Sequence, residues 1–218
     1  MVPARDEEPR IGMTVKALRA VEGVQEVVVV ADGCSDRTAE EARAAGARVL
    51  VPPARMGKGG ALEGAVDRLP PAAVYLLVDG DVGETAGAAA SLLEPVRAGE
   101  LDMAVGRLPP SRGGGFGAVK GLSRWLVGRA CGFRAEEPIS GQRALTGEVL
   151  AACRPLAPGF GVDVSLTIDA VRLGFRVGEV PVRMSHRRTG RTPAGFAHRA
   201  GQGLDVLRAV LPRLLGLR

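Results

Sequence analysis

The sequence predicts a single α/β domain with a mostly parallel central sheet flanked by helices. Three observations carry that prediction. Continuous apolar runs at Val27–Ala31 and Val74–Val78 read as strands covered on both faces. Segments of helical spacing or composition alternate with them. Carboxylates and glycines cluster where those strands should end, which is where open α/β sheets bind ligands.

Each element has its own signal. Val2-Pro3-Ala4 leaves room only for a very short first strand, with Pro3 at its end, unless a few residues are missing ahead of Met1. Ile11, Val15, Leu18 and Val21 recur at helical spacing. Thr38–Ala45 is rich in Ala and Glu and reads as a helix capped by Ser35 or Asp36. Ala47–Val51 reads as a strand, Lys58–Arg68 as a helix, and Val74–Val78 as the next strand. Thr85–Arg97 reads as a helix and Met103–Val105 as a short strand. This βαβαβ order implies parallel pairing through right-handed crossovers. Further on come a helix over Val162–Leu173 and a strand over Val180–Met184. From Gln202 to Arg218 a helix places Leu204, Leu207, Leu211, Leu214 and Leu215 on one face, with a kink expected at Pro212. Pro109–Gly117, rich in Gly and Pro, reads as a loop over the site. No linker interrupts residues 1–218.

Composition narrows the class. A chain of 218 residues can bury one sizeable core. Its net charge of +5 favours anionic partners such as nucleotides, phosphates or anionic lipid. Aromatic content of 3% leaves no base-stacking platform and argues against nucleic acid. Cys34, Cys131 and Cys153 form no C-x-x-C pair and suggest reduced thiols in a cytoplasmic setting. No apolar stretch is long enough to span a bilayer, and no signal peptide is visible.

Asp79-Gly80-Asp81 follows the Val74–Val78 strand. Side chains at i and i+2 share a side, so Asp79 and Asp81 can converge on one hard cation, and Gly80 allows close backbone approach. An ordinary Asp/Gly turn is the alternative. Gly57-Lys58-Gly59-Gly60 opens a helix, where backbone amides and Lys58 attract anions. Its spacing is not that of a P-loop, and a plain glycine turn with a solvated lysine also fits. Glu7 and Glu8 suit a helix N-terminus. From Arg183 onward eight arginines face one acid, Asp205, a bias beyond the needs of a solvated face.

Taken together these motifs resemble the family-two nucleotide-sugar glycosyltransferases. Val2-Pro3-Ala4-Arg5-Asp6-Glu7-Glu8 is similar to their IPAYNEE opening, and Ala31–Thr38 to their DDGSTDGT turn. Gly57–Leu62 is similar to GKGAAL, and Asp79–Asp81 sits at their D-x-D. Ser140-Gly141-Gln142-Arg143-Ala144 resembles the SGFRA segment of the dolichyl-phosphate mannose synthase branch, and Arg176–Val182 its R-x-x-EVP-x strand. Glucosyl-3-phosphoglycerate synthases are similar across Gly159–Arg188. Two departures stand out: Ala31 replaces the first Asp of the usual pair, and Gly83 occupies the place of a further metal ligand.

The resemblance implies a GT-A fold, with residues 1–105 binding the nucleotide-sugar, 106–200 the acceptor, and 201–218 forming the terminal helix. It implies a metal-dependent glycosyltransferase using Mn2+ or Mg2+ and a UDP- or GDP-sugar. The acceptor is a polyprenyl phosphate or a small phosphorylated acid such as 3-phosphoglycerate. Pro3, Ala4, Arg5, Glu8, Asp32, Lys58, Asp79 and Gly80 are implied on the donor side, Asp32 against the base. Asp79, Asp81 and His186 are the implied metal ligands, and the metal neutralises the leaving diphosphate. Ser140, Gly141, Gln142 and Arg143 form the implied acceptor wall, with Arg143 facing an anion. Arg188 and Arg191 hold phosphate, with Arg187 beside them. Asp163 acts as general base or as a helix N-terminal charge. The tail helix packs on its own domain or a twin subunit in preference to lying on the inner face of an anionic membrane. A nucleotidyltransferase and a non-catalytic binding module are the rival readings.

Overall fold

The computed structural model describes residues 1–109, 117–185 and 193–216. The elements are β1 (Val2–Ala4), α1 (Glu8–Arg19), β2 (Val28–Ala31), α2 (Thr38–Ala44), β3 (Arg48–Leu50), α3 (Gly57–Val66) and β4 (Val74–Leu77). A 3₁₀ segment, Gly83–Ala89, leads into α4 (Ala90–Arg97). Then follow β5 (Met103–Arg107), α5 (Gly117–Cys131), β6 (Arg143–Thr146), α6 (Gly147–Ala152), α7 (Gly161–Arg172), β7 (Val177–Pro181) and α8 (Pro193–Leu214).

Strands β1, β2 and β3 pair in parallel in that order. Strands β4, β6, β5 and β7 form the other half. Two bonds stitch the halves: the Met1 nitrogen donates to Leu76 O at 2.6 Å, and Val78 N donates to Met1 O at 3.2 Å. Within the second half, β6 runs antiparallel to both β4 and β5, while β5 and β7 are parallel. Strand β2 is buried along its whole length, as its unbroken apolar run requires.

Beside a small one of Val30, Ala61 and Ala65 that seats α3 on β2, three larger apolar clusters hold the layers. One packs α1, the 3₁₀ segment and α4 on the sheet through Ile11, Val15, Ala86 and Leu92. Another packs α3, α6 and α7 through Leu62, Leu145, Leu150 and Leu166. The third joins α5, α7 and α8 through Leu126, Val127, Ile168, Val206 and Val210.

Several boundaries differ from the sequence expectations. The segment expected as one helix from Thr85 begins as 3₁₀, because Gly83, Ala86 and Ala89 let it press closely on α1. Strand β7 spans Val177–Pro181 rather than Val180–Met184, since its register follows β5 from Met103 to Arg107. The expected loop at Pro109–Gly117 lies mostly outside the described residues. The N-cap position of α2 is Arg37 and carries no side-chain cap, in place of the expected Ser35 or Asp36; Asp36, one residue ahead, accepts from Thr38 N at 3.0 Å and from Glu8 N at the start of α1.

The leucine face expected on the terminal helix is corrected. Its buried face is Val206, Ala209, Val210 and Arg213, with Leu207 and Leu214 packed partly buried beside it, whereas Leu204, Leu211 and Leu215 are 52%, 50% and 71% exposed. Polar anchors set this rotation. Arg213 donates to both carboxylate oxygens of Asp169 on α7, and Asp205 Oδ2 accepts from Phe160 N at 3.1 Å. So two charges of the basic tail serve packing, and Arg213 is no surface cation. Among the described residues no helix is long and apolar enough to cross a membrane.

The Arg213–Asp169 pair is buried on both sides. Arg213→Met should therefore cost about 3–5 kcal/mol, by leaving a buried carboxylate uncompensated. Arg213→Met with Asp169→Leu should recover most of that loss in urea denaturation.

Candidate functional site

The site lies at the carboxyl ends of β1, β2 and β4. Asp79-Gly80-Asp81 leaves β4 there and is pinned from behind by α1. The Thr14 hydroxyl donates to Gly80 O at 2.9 Å and accepts from Gly83 N at 2.8 Å. Arg10 Nη1 donates to Asp81 O at 3.1 Å. A Cβ on Gly80 would sit 3.0 Å from the Ala4 side chain, so a larger residue there would press on β1. Thr14 escaped the sequence reading, though it falls on the buried face of α1 between Ile11 and Val15.

Lys58 is the centre of the site. Its ammonium lies 2.8 Å from Asp79 Oδ1 and 2.8 Å from Asp163 Oδ2. The three side chains are 10%, 27% and 6% exposed in the order Lys58, Asp79, Asp163. Burial alone would lower the pKa of Lys58, but the two carboxylates outweigh it and hold the ammonium well above its ordinary value. Burial pushes Asp163 up, against the pull of Lys58 and Arg143.

The segment leading into β6 supplies the opposite wall. Gln142 accepts from Asp79 N at 3.2 Å and donates to Asp79 Oδ2 at 2.8 Å. A Cβ on Gly141 would lie 2.2 Å from Lys58 Nζ, so this backbone covers the ion pairs directly. Arg143, expected to face an anion on the acceptor wall, is instead fully buried. It donates to Ser140 O at 2.9 Å and to Thr167 Oγ1 at 2.8 Å. Alternation along β6 turns it inward when Gln142 faces Asp79.

The donor-side residues are drawn together with their oxygens already engaged. Asp32 accepts from Met56 N at 2.6 Å and Gly57 N at 2.7 Å, so its carboxylate shapes the turn into α3. Gly59 N donates to Gly159 O at 3.1 Å. Two of the first amides of α3 thus serve protein acceptors, and Lys58 turns inward to carboxylates. Glu8 binds Arg37 at 2.7 Å, and Arg5 lies 3.6 Å from Asp6. Pro3 and Ala4 form the short strand edge beside Asp32, whose N–H donates to Ala4 O at 3.0 Å. His186, Arg187, Arg188 and Arg191 lie outside the described residues.

Among the described residues, Asp6, Cys34 and Asp36 bring ligand atoms within 4.8 Å of one another. Asp6 already accepts from Ser35 N at 2.7 Å, and Asp36 from the amides of Glu8 and Thr38. These acids build turns.

Linkage gives a test of the Lys58 cluster. A folded ammonium pKa above 10.5 stabilises the fold fully below that value and loses its contribution as pH rises through the folded pKa. Lys58→Met should cost about 3–5 kcal/mol in urea denaturation through neutrality, by leaving the buried Asp163 and the partly exposed Asp79 with no ammonium between them. The difference from wild type should shrink only above about pH 10.5.

Comparison with known proteins identifies the family. The family model described as glycosyl transferase family 2 matches residues 1–144. Glycosyltransferase AglJ of Haloferax volcanii is 28% identical over 194 residues, covering 87% of this chain and 63% of that protein. Glucosyl-3-phosphoglycerate synthase of Mycolicibacterium paratuberculosis is 34% identical over 202 residues, covering 80% of this chain and 60% of that one. The chain thus spans about three fifths of these relatives' length. The crystal structure of glucosyl-3-phosphoglycerate synthase from Mycobacterium tuberculosis with Mn2+, UDP-glucose and phosphoglyceric acid superposes with a TM-score of 0.82 at 27% identity. That match covers 98% of this chain and 78% of the other. The expected α/β, GT-A architecture is therefore observed, and the chain belongs to glycosyl transferase family 2.

Proposed function

We propose that this chain is a metal-dependent glycosyltransferase that moves a sugar from a UDP- or GDP-sugar to a phosphorylated acceptor. The observation that carries the reading is the carboxylate pair after β4, with Asp79 gripped from two sides and Asp81 beside it. It stands in a fold shared with an enzyme crystallised with Mn2+, UDP-glucose and phosphoglyceric acid. A small phosphorylated acid is the favoured acceptor, with a polyprenyl phosphate as the second.

The residues fit a hard divalent cation. The ammonium 2.8 Å from Asp79 Oδ1 makes that oxygen a poor cation ligand. Asp81 would hold Mn2+ or Mg2+ with diphosphate oxygens, since such ions need only one or two carboxylates beside substrate phosphates. His186 is the proposed further ligand. The ion supplies charge neutralisation to the leaving diphosphate.

The protein's own groups do the rest. Asp79 accepts hydrogen bonds from sugar hydroxyls. Pro3, Ala4, Arg5 and Glu8 line the nucleoside side, with Asp32 and Gly80 shaping it. Ser140 and Gly141 border the acceptor, and Arg188 and Arg191 hold phosphate. Asp163 is bonded to Lys58 behind Asp79, which suits a supporting role better than that of a base. Attack by a phosphate oxygen, as on a polyprenyl phosphate, needs no base because that oxygen is already an anion, whereas attack by a hydroxyl of a small phosphorylated acid must shed a proton. Three cysteines with no disulfide among them fit a cytoplasmic setting. The homodimer or anionic-bilayer contact attaches to the exposed leucine edge of α8, and sedimentation velocity with and without anionic vesicles separates the two.

Thermal-shift measurements with UDP-, GDP- and ADP-sugars should show stabilisation by one nucleotide class, only with Mn2+ or Mg2+. Asp81→Ala should abolish that metal-dependent shift and lower turnover roughly a hundredfold or more, given several kcal/mol of charge stabilisation from the ion. Equal shifts with and without metal would refute the assignment.

A further inference from the structure

The geometry points to Gln142 as a positioning residue that aims Asp79 at the donor sugar. This rests on the glycosyltransferase reading and deepens it. Strand β6 runs antiparallel to β4 with Leu77 opposite Arg143, so the next residues bring Gln142 beside the start of the Asp79 turn. Gln142 is fully buried, and a Cβ on Gly106 would lie 3.0 Å from its Cβ, so its stem is confined on that side. Its planar amide then contacts Asp79 twice, accepting from the backbone N–H and donating to Oδ2. One rigid group that spans backbone and side chain of the same residue fixes the rotation of that side chain.

Lys58 takes the other oxygen, Oδ1. The two contacts differ in kind. The lysine contributes charge, and the amide contributes direction without altering the charge of Asp79.

Gln142→Glu and Gln142→Met test it. Glutamate keeps the shape and the acceptor for Asp79 N–H but replaces the donor with an anion. Methionine keeps length and loses both bonds. Each variant is assayed for metal-dependent turnover of the nucleotide-sugar and for binding of the free nucleoside diphosphate. The expected result is a kcat lower by roughly 10–100-fold, in line with other supporting contacts at reactive sites, with nucleoside diphosphate affinity unchanged. Gln142→Glu should fall at least as far as Gln142→Met. Wild-type turnover in both variants would overturn the positioning role and leave the glycosyltransferase reading intact. Loss of nucleotide binding together with turnover would show a merely structural residue and equally overturn it. A wild-type protein that turns over no nucleotide-sugar would remove the donor reading, and the role of Gln142 with it.

Discussion

A lysine held between two carboxylates in a nearly dry site is the interaction on which the rest of this structure depends. Lys58 comes from α3, Asp79 from the end of β4 and Asp163 from α7. Three elements far apart in sequence must meet within hydrogen-bonding distance for the charges to be compensated. Burying such groups costs several kcal/mol per ion, and their attraction repays it only in good geometry. The cluster is better understood as fixing where α3 and α7 sit against the sheet than as a source of net stability.

The surrounding chain is shaped to keep that geometry. Gly59 approaches the Ala157 carbonyl so closely that an added Cβ would lie 1.8 Å from it, and Gly141 covers the ion pairs in the same way. From the other side Thr14 and Arg10 hold the carbonyls of Gly80 and Asp81. The carboxylate loop is therefore located by backbone contacts front and back, and its side chains inherit that placement.

Much of this was legible in the sequence, and the limits have physical causes. The apolar run of β2 and the carboxylates after β4 announced both the sheet and the site, because burial on two faces and clustering at strand ends leave local patterns. Strand β6 left none: of its four residues, Arg143–Thr146, the first two read as the end of a motif and none as an antiparallel strand. Without that pairing, Gln142 and Arg143 could not be assigned to opposite faces. Lys58 stood in a glycine-rich helix start, where the local rule favours an anion in solvent, and only the tertiary fold shows two carboxylates in its place. On α8 the leucines gave a plausible face, but rotation was decided by Asp205 and Arg213, whose partners on the Phe160 turn and α7 are remote in sequence.

The inner cluster has a consequence for how charge acts at the site. Lys58 and Arg143 balance Asp79 and Asp163, so these four groups sum to zero. Arg143 and Asp163 are buried, Lys58 is nearly so and Asp79 is only partly exposed, so dissolved salt screens them less than it screens surface charges. The dependence of substrate capture on ionic strength is then set by the exposed arginines and the +5 surface, while alignment after capture is set by an interior that salt screens less. Encounter and orientation are in this way under separate physical control.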